Sequence, residues 1–168
     1  MRPFIRNRAQ LGRLFDVTSA KDGSSLSRDN TQGKFVGGDA RAVLSAEVEL
    51  TPAEVLDLNT TPIEIVPAPG AWKAIVVIQA LASVDFDSAA YETNTTLQLL
   101  TDNATNAQFV NTNLLAATDD SIWLFESVTS NTLQVVEDEP LEVTVATGDP
   151  ATGDSPIKVK VFYCIVDL

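Results

Sequence analysis

Carboxylates are the only abundant groups in this 168-residue chain that could do chemistry: it holds 23 Asp and Glu, one Cys and no His. The absence of histidine excludes Ser-His-Asp and Cys-His nucleophile systems and histidine metal sites. Carboxylate clusters occur at Asp85 and Asp87, at Asp119 and Asp120, and in Glu137-Asp138-Glu139. Two such groups held about 5 to 9.5 Å apart in a sugar-lined cleft would make a glycosidase. All three clusters fall at strand ends or turns, where solvated acids are expected, and nothing around them marks one as a tuned acid. No catalytic residue is assigned, and the chain is not expected to be an enzyme.

Other chemistry is equally thin. Asp149 and Asp154, with neighbouring Thr and Ser hydroxyls in the loop 146–156, could reach one calcium ion, but their spacing fits no calcium loop and a solvated turn is expected instead. Gly37-Gly38 and Gly70 lack the Gly-Lys-Ser/Thr continuation of a phosphate loop and read as turn glycines. Asn59, Asn94 and Asn103 each open an Asn-X-Thr triplet, read as coincidence in an Asn/Thr-rich β protein. Cys164 lies in the apolar run Val161 to Val166 and is expected to be a buried, inert thiol. No metal and no cofactor are expected.

Aromatic residues offer a binding function rather than a catalytic one. Trp72, Phe86, Tyr91, Trp123 and Phe125 could form a sugar platform, or else core or subunit contacts. Trp123 and Phe125 share one strand face while Ile122 and Leu124 occupy the other. If both faces are apolar, one of them can meet another subunit. Trp72, Tyr91 and Trp123 are therefore the candidates for a ligand or subunit interface.

The elements that must position these residues are strands. Between Leu44 and Leu50, Ser45, Glu47 and Glu49 alternate with Leu44, Ala46, Val48 and Leu50, a half-buried strand. Thr51-Pro52-Ala53-Glu54 is a capping box with Pro at the first helical position, predicting one helical turn over Pro52 to Leu56. Further strands are predicted at 63–66, 72–84, 95–101, 121–126, 133–136, 141–146 and 157–166. Turn-forming segments separate them: PAPG at 67–70, TDNAT at 101–105, ATDD at 117–120 and ATGDPATGDSP at 146–156. The repeated Ala-Thr-Gly-Asp of the last loop reads as a hairpin tip. Short β-branched strands with this punctuation describe a β-sandwich, jelly-roll-like in character.

Charge divides the chain in two. Residues 1–41 carry eight Lys and Arg against four Asp, and residues 42–168 carry three against nineteen acids, giving +4 and −16 within the total of −12. We expect a basic, extended and irregular N-terminal arm and linker over 1–41 and an acidic β-sandwich domain over 42–168. The acidic body is a poor partner for nucleic acid or anionic lipid. The segment MRPFIRNRAQLGRLF has no continuous apolar core of a secretory signal, and no stretch of 18 apolar residues exists to span a membrane. Within the arm, Arg2, Phe4, Ile5, Arg6, Arg8, Leu11, Arg13, Leu14 and Phe15 interleave cations with bulky apolar groups, a pattern suited to docking on an acidic protein surface.

The runs LNTTPIEIVPAPGAWKAIVV, SAAYETNTTLQLLTD, NTNLLAATDDSIW and LEVTVATGDPATGDSPIKVKVFYCIV resemble small virion proteins encoded in tailed-phage genomes, over roughly residues 43–168. The shared elements are turns and strands rather than catalytic groups. This resemblance implies a capsid decoration or head-fibre subunit, jelly-roll-like, a homo-oligomer with a trimer favoured, carried on the virion with a major capsid protein or other virion protein as partner. The arm lies outside it. A receptor- or glycan-binding module of a head or tail fibre is the alternative, and a carboxylate-based polysaccharide hydrolase is a third.

Overall fold

The structure is a computed structural model that describes residues 15–16, 26–29, 34–37, 43–101, 107–128 and 135–168. The chain divides into two compact units, residues 1–42 and 43–168. In the first, strands β1 (Phe15–Asp16), β2 (Leu26–Asp29) and β3 (Lys34–Gly37) form a sheet in the order β1-β3-β2, parallel between β1 and β3 and antiparallel between β2 and β3. This sheet corrects the expectation that residues 1–41 are irregular throughout, and the sequence offers no period to read here. Strands of two to four residues are defined by backbone pairing, and are too short for a side-chain alternation to show.

Among its described residues the second unit is all-β apart from one turn of helix. Its elements are β4 (Leu44–Leu50), α1 (Pro52–Val55), β5 (Ile63–Val66), β6 (Lys73–Val84), β7 (Leu97–Thr101), β8 (Phe109–Asn111), β9 (Ser121–Leu124), β10 (Glu126–Ser127), β11 (Leu141–Val145) and β12 (Ile157–Asp167). They form two antiparallel sheets, one ordered β4-β12-β6-β9 and the other β10-β8-β7-β11-β5. Successive strands mostly alternate between the sheets, so the loops span the edges of a sandwich. Phe125 alone separates β9 from β10. Its buried ring and its N–H, which donates to Ala80 O at 3.0 Å, mark the corner where one extended segment leaves the first sheet for the second.

One core joins the two sheets. Leu50, Ile75, Ala80, Ala82, Ile157 and Val159 contribute from the first, and Leu97, Leu99, Leu141, Val143 and Val145 from the second. Strand β4 follows the expected alternation, buried toward Leu50 and exposed at Glu47 and Glu49. Thr51 caps α1 through the expected box, its side chain accepting from Glu54 N–H while the Glu54 carboxylate accepts from Thr51 N–H at 2.7 Å. Strand β6 buries odd-numbered Ile75 and Val77 but then even-numbered Ala80, Ala82 and Val84. A bulge causes the change of parity: Phe162 pairs with Gln79 and Tyr163 with Val77, leaving Ile78 exposed.

Several expectations need correction. The loop 146–156 is not a hairpin tip, because it joins β11 in one sheet to β12 in the other. Strand β8 escapes a sequence reading because Phe-Val-Asn is too short to show a period. The predicted strand 133–136 begins outside the described residues, and Val135 and Val136 are not in a strand. Cys164 is half-buried rather than buried, because it lies where β12 pairs with β6 beyond the last partner of β4, Tyr163. Among the described residues no helix is long and apolar enough to cross a membrane.

Candidate functional site

Of the predicted arm, Arg2, Phe4, Ile5, Arg6, Arg8, Leu11, Arg13 and Leu14 lie outside the described residues, and Phe15 is described only as the backbone of β1. The aromatic candidates separate sharply. Tyr91 is 2% exposed, and its hydroxyl donates to Ser155 O at 2.7 Å. Burial, with the nearby Asp154 charge second, pushes its pKa up to about 12. Tyr91 is therefore a core residue and cannot serve the ligand or subunit contact expected of it. The apolar body of a tyrosine packs well when its hydroxyl finds a buried acceptor, which sequence alone does not reveal.

Trp72 is 71% exposed in the left-handed region at φ 61°. Its backbone is held on both sides: the N–H donates to Glu137 Oε1 at 2.7 Å and the carbonyl accepts from Leu168 N–H at 2.9 Å. Asp138 accepts from Gly70 N–H at 2.8 Å in the same turn. These contacts sustain a backbone conformation that is unfavourable for a bulky residue. Trp123 is 40% exposed and donates its indole N–H to Ser121 Oγ at 3.1 Å.

The carboxylates are mostly structural. Asp149 accepts from Asn59 N–H at 2.8 Å, Thr60 N–H at 3.0 Å and the Thr60 hydroxyl at 2.6 Å. Asp154 accepts from Ser88 N–H at 3.1 Å, Ala89 N–H at 2.8 Å and the Ser88 hydroxyl. The Thr60 hydroxyl, then its N–H and that of Asn59, hold the Asp149 carboxyl below its ordinary value. The Ser88 hydroxyl and the amides of Ala89 and Ser88 do the same for Asp154. The two carboxylates thus clamp different segments and do not converge on one ion. Among the described residues no group of three or more Cys, Asp or Glu could hold a metal.

Asp85 and Asp120 line one open groove with Ser83, Val84, Ser121 and Ile122. Asp120 accepts from Phe86 N–H at 2.8 Å, and both aspartates are exposed.

The outward face of the sheet β4-β12-β6-β9 carries Ile122 and Leu124, the strand face that the sequence set opposite Trp123 and Phe125. Register places Glu49 beside Lys158 and Ser83 in one row, and Glu47 beside Lys160 and Leu81 in the next. Strand β9 continues these rows with Ile122 opposite Ser83 and Leu124 opposite Leu81. Lys158 lies 3.7 Å from Glu49, Lys160 lies 3.3 Å from Glu47, and the Lys160 ammonium stands 5.9 Å from the Phe162 ring centre. Ile122 is 72% and Leu124 60% exposed. One half of this face is a charge-balanced ladder and the other a bare aliphatic strip. The signal in the sequence was SIWL itself, whose four residues include no charge.

No family model matches this chain, and no curated protein matches it. Among solved structures it is similar to a chain of the capsid asymmetric unit of cyanophage Pam1, with a TM-score of 0.46 and 13% identity, over 88% of this chain and 98% of that one.

Proposed function

We propose that this chain is a non-catalytic structural component of a tailed-phage particle, a capsid decoration or head-attached subunit. It oligomerises through its β domain, and its basic N-terminal arm docks on a major capsid protein or another virion protein. The observation that carries this reading is what the acids do. Glu137, Asp138, Asp120, Asp149 and Asp154 accept hydrogen bonds from backbone amides of distant loops, so the titratable groups of a histidine-free chain serve rigidity.

Strand order supports a jelly roll within that reading. With β9 and β10 taken as one strand turned at Phe125, the described residues of the body hold eight strands, which counted from β4 as the first are ordered 1-8-3-6 in one sheet and 2-7-4-5-6 in the other. First and last strands are neighbours in one sheet, the first at its edge and the last inside it, and both termini of the body leave from that sheet. An arm of four arginines interleaved with Phe4, Ile5, Leu14 and Phe15 gains contact area at the cost of ordering, and several arms on one oligomer offset that cost through effective concentration.

Deleting residues 2–15 tests the docking role. The truncated protein should keep its fold by circular dichroism and fail to bind undecorated particles, whereas full occupancy by the truncated protein would refute arm-mediated attachment. Exposed Trp72 in its braced turn favours the second reading, a glycan- or receptor-binding module, and a glycan array in which Trp72→Ala changes no signal would count against it.

A further inference from the structure

We propose that the outward face of the sheet β4-β12-β6-β9, centred on Ile122, Leu124 and Leu81, is where one copy of this chain meets a second copy. This deepens the oligomerisation named above and rests on that reading.

Charge selects both the face and the occupant. Residues 42–168 carry a net charge of −16, and bodies so charged repel each other. Salt screens that repulsion beyond about 8 Å, so the charges next to the contact decide whether two copies can approach. The three cations of the body are Lys73, Lys158 and Lys160, and the last two stand on this face, balanced by Glu47 and Glu49. Within these paired rows two Lys and two Glu cancel, and Asp85 and Asp120 are the acids that remain, at the end of the strip beside Ser83 and Ile122.

The outward face of the other sheet is the contrast. It carries Glu64 opposite Glu142, and Glu126 opposite Val110, and none of its strands contributes a Lys or Arg. A basic partner would take that acidic face; a partner as acidic as this chain is admitted only where charge is cancelled. The aliphatic strip beside the ladder then supplies the attraction. Ile122 and Leu124 project from a short strand at the sheet edge, with Leu81 beside Leu124 in the same row. Exposed aliphatic neighbours of this kind mark contact surfaces, and removing them from water on both copies is favourable. When two such faces meet, each Lys–Glu ladder can also pair with its counterpart, which sets the relative orientation without adding net charge.

The experiment uses the full chain in solution, without particles. Sedimentation should show a concentration-dependent oligomer that tightens as salt rises, because salt screens body–body repulsion while leaving apolar burial intact. Ile122→Asp with Leu124→Asp should weaken association by about a hundredfold or more, since a buried contact would then hold unpaired charge. Ile122→Thr with Leu124→Thr, which places β-branched residues of good strand propensity at both positions, should weaken it less, and both variants should keep the wild-type circular dichroism spectrum. If the aspartate pair misfolds, the threonine pair decides. A wild type that stays monomeric at every concentration, or threonine and aspartate pairs that associate as the wild type does, would overturn the inference. Particle binding by the same samples reads the parent proposal separately. An oligomer that binds no particle sinks that proposal and leaves the interface, and a particle-binding monomer does the reverse.

Discussion

The two Ala-Thr-Gly-Asp copies have identical sequences and build the same local structure, yet they are set to very different tasks. In each, the Thr has a left-handed backbone, φ 68° at Thr147 and 58° at Thr152, and its hydroxyl donates to the preceding Ala carbonyl at 2.7 Å. A Gly with positive φ follows, and the Asp then accepts from two successive amides and a hydroxyl of another loop. The first copy ties the chain to Asn59 and Thr60 just after the helical turn. The second ties it to Ser88 and Ala89, and Ala151 and Glu92 exchange both backbone hydrogen bonds at 2.8 Å. The second copy sits against the core residue Tyr91, whose ring lies beside Gly153. Local sequence sets the shape of a turn; what the turn touches sets its worth.

Exchanging the glycines should break the likeness most. Gly153 has φ +92°, and a Cβ there would collide with the Tyr91 ring. Gly153→Ala should cost about 2 to 5 kcal/mol in urea denaturation, from left-handed strain plus overpacking. At Gly148, φ is +141° and the nearest atom to a Cβ is Asn94 Nδ2 at 3.1 Å, the end of a side chain that can move. Gly148→Ala should cost about 1 to 2 kcal/mol. Equal losses at the two positions would mean that Tyr91 yields and that the two environments do not differ.

A smaller effect separates the copies at alkaline pH. The folded pKa of Tyr91 is raised from 10.0 to about 12, so the neutral phenol contributes stability that is fully present below pH 10 and lost as pH rises toward 12. Tyr91→Phe should remove that alkaline transition while costing about 1 to 3 kcal/mol at neutral pH, because Ser155 O loses its donor. Thermal melts of both proteins from pH 8 to 12 check this.

The smallest expected effect is one the copies share. Asp149 and Asp154 have folded pKa values below 3.8, so the stability they add is present above 3.8 and lost as pH falls through their folded values. Asp149→Asn and Asp154→Asn should each flatten the acid limb of a stability–pH curve by a similar amount, and together by more than either alone. An unchanged acid limb in the double variant would show that these exposed clamps contribute nothing to folding.

Much of this architecture was legible beforehand. The alternation of Leu44 to Leu50, the Thr51–Glu54 box and the long apolar runs are local signals: the strands expected at 72–84 and 157–166 appear at Lys73–Val84 and Ile157–Asp167. Tyr91 and Cys164 were misjudged for a common reason. Burial depends on what lies across the sheet or at its edge, and an apolar run does not say where its neighbouring strand ends. The groove of Asp85 and Asp120 and the face of Ile122 and Leu124 were only partly visible, since each draws on strands far apart in sequence.

The sequence by itself determined composition, charge division and local periodicity: an acidic, histidine-free, β-rich body without the residues of common hydrolase machinery, preceded by a basic segment. These follow from side-chain chemistry and from neighbours one to four residues apart. Tertiary structure decided sheet order, the parity change at Ile78, the loops that each aspartate holds, and the outward face on which a Lys–Glu ladder lies beside an aliphatic strip. Those properties arise from pairing between distant strands, where a shift of one residue exchanges the buried face for the exposed one.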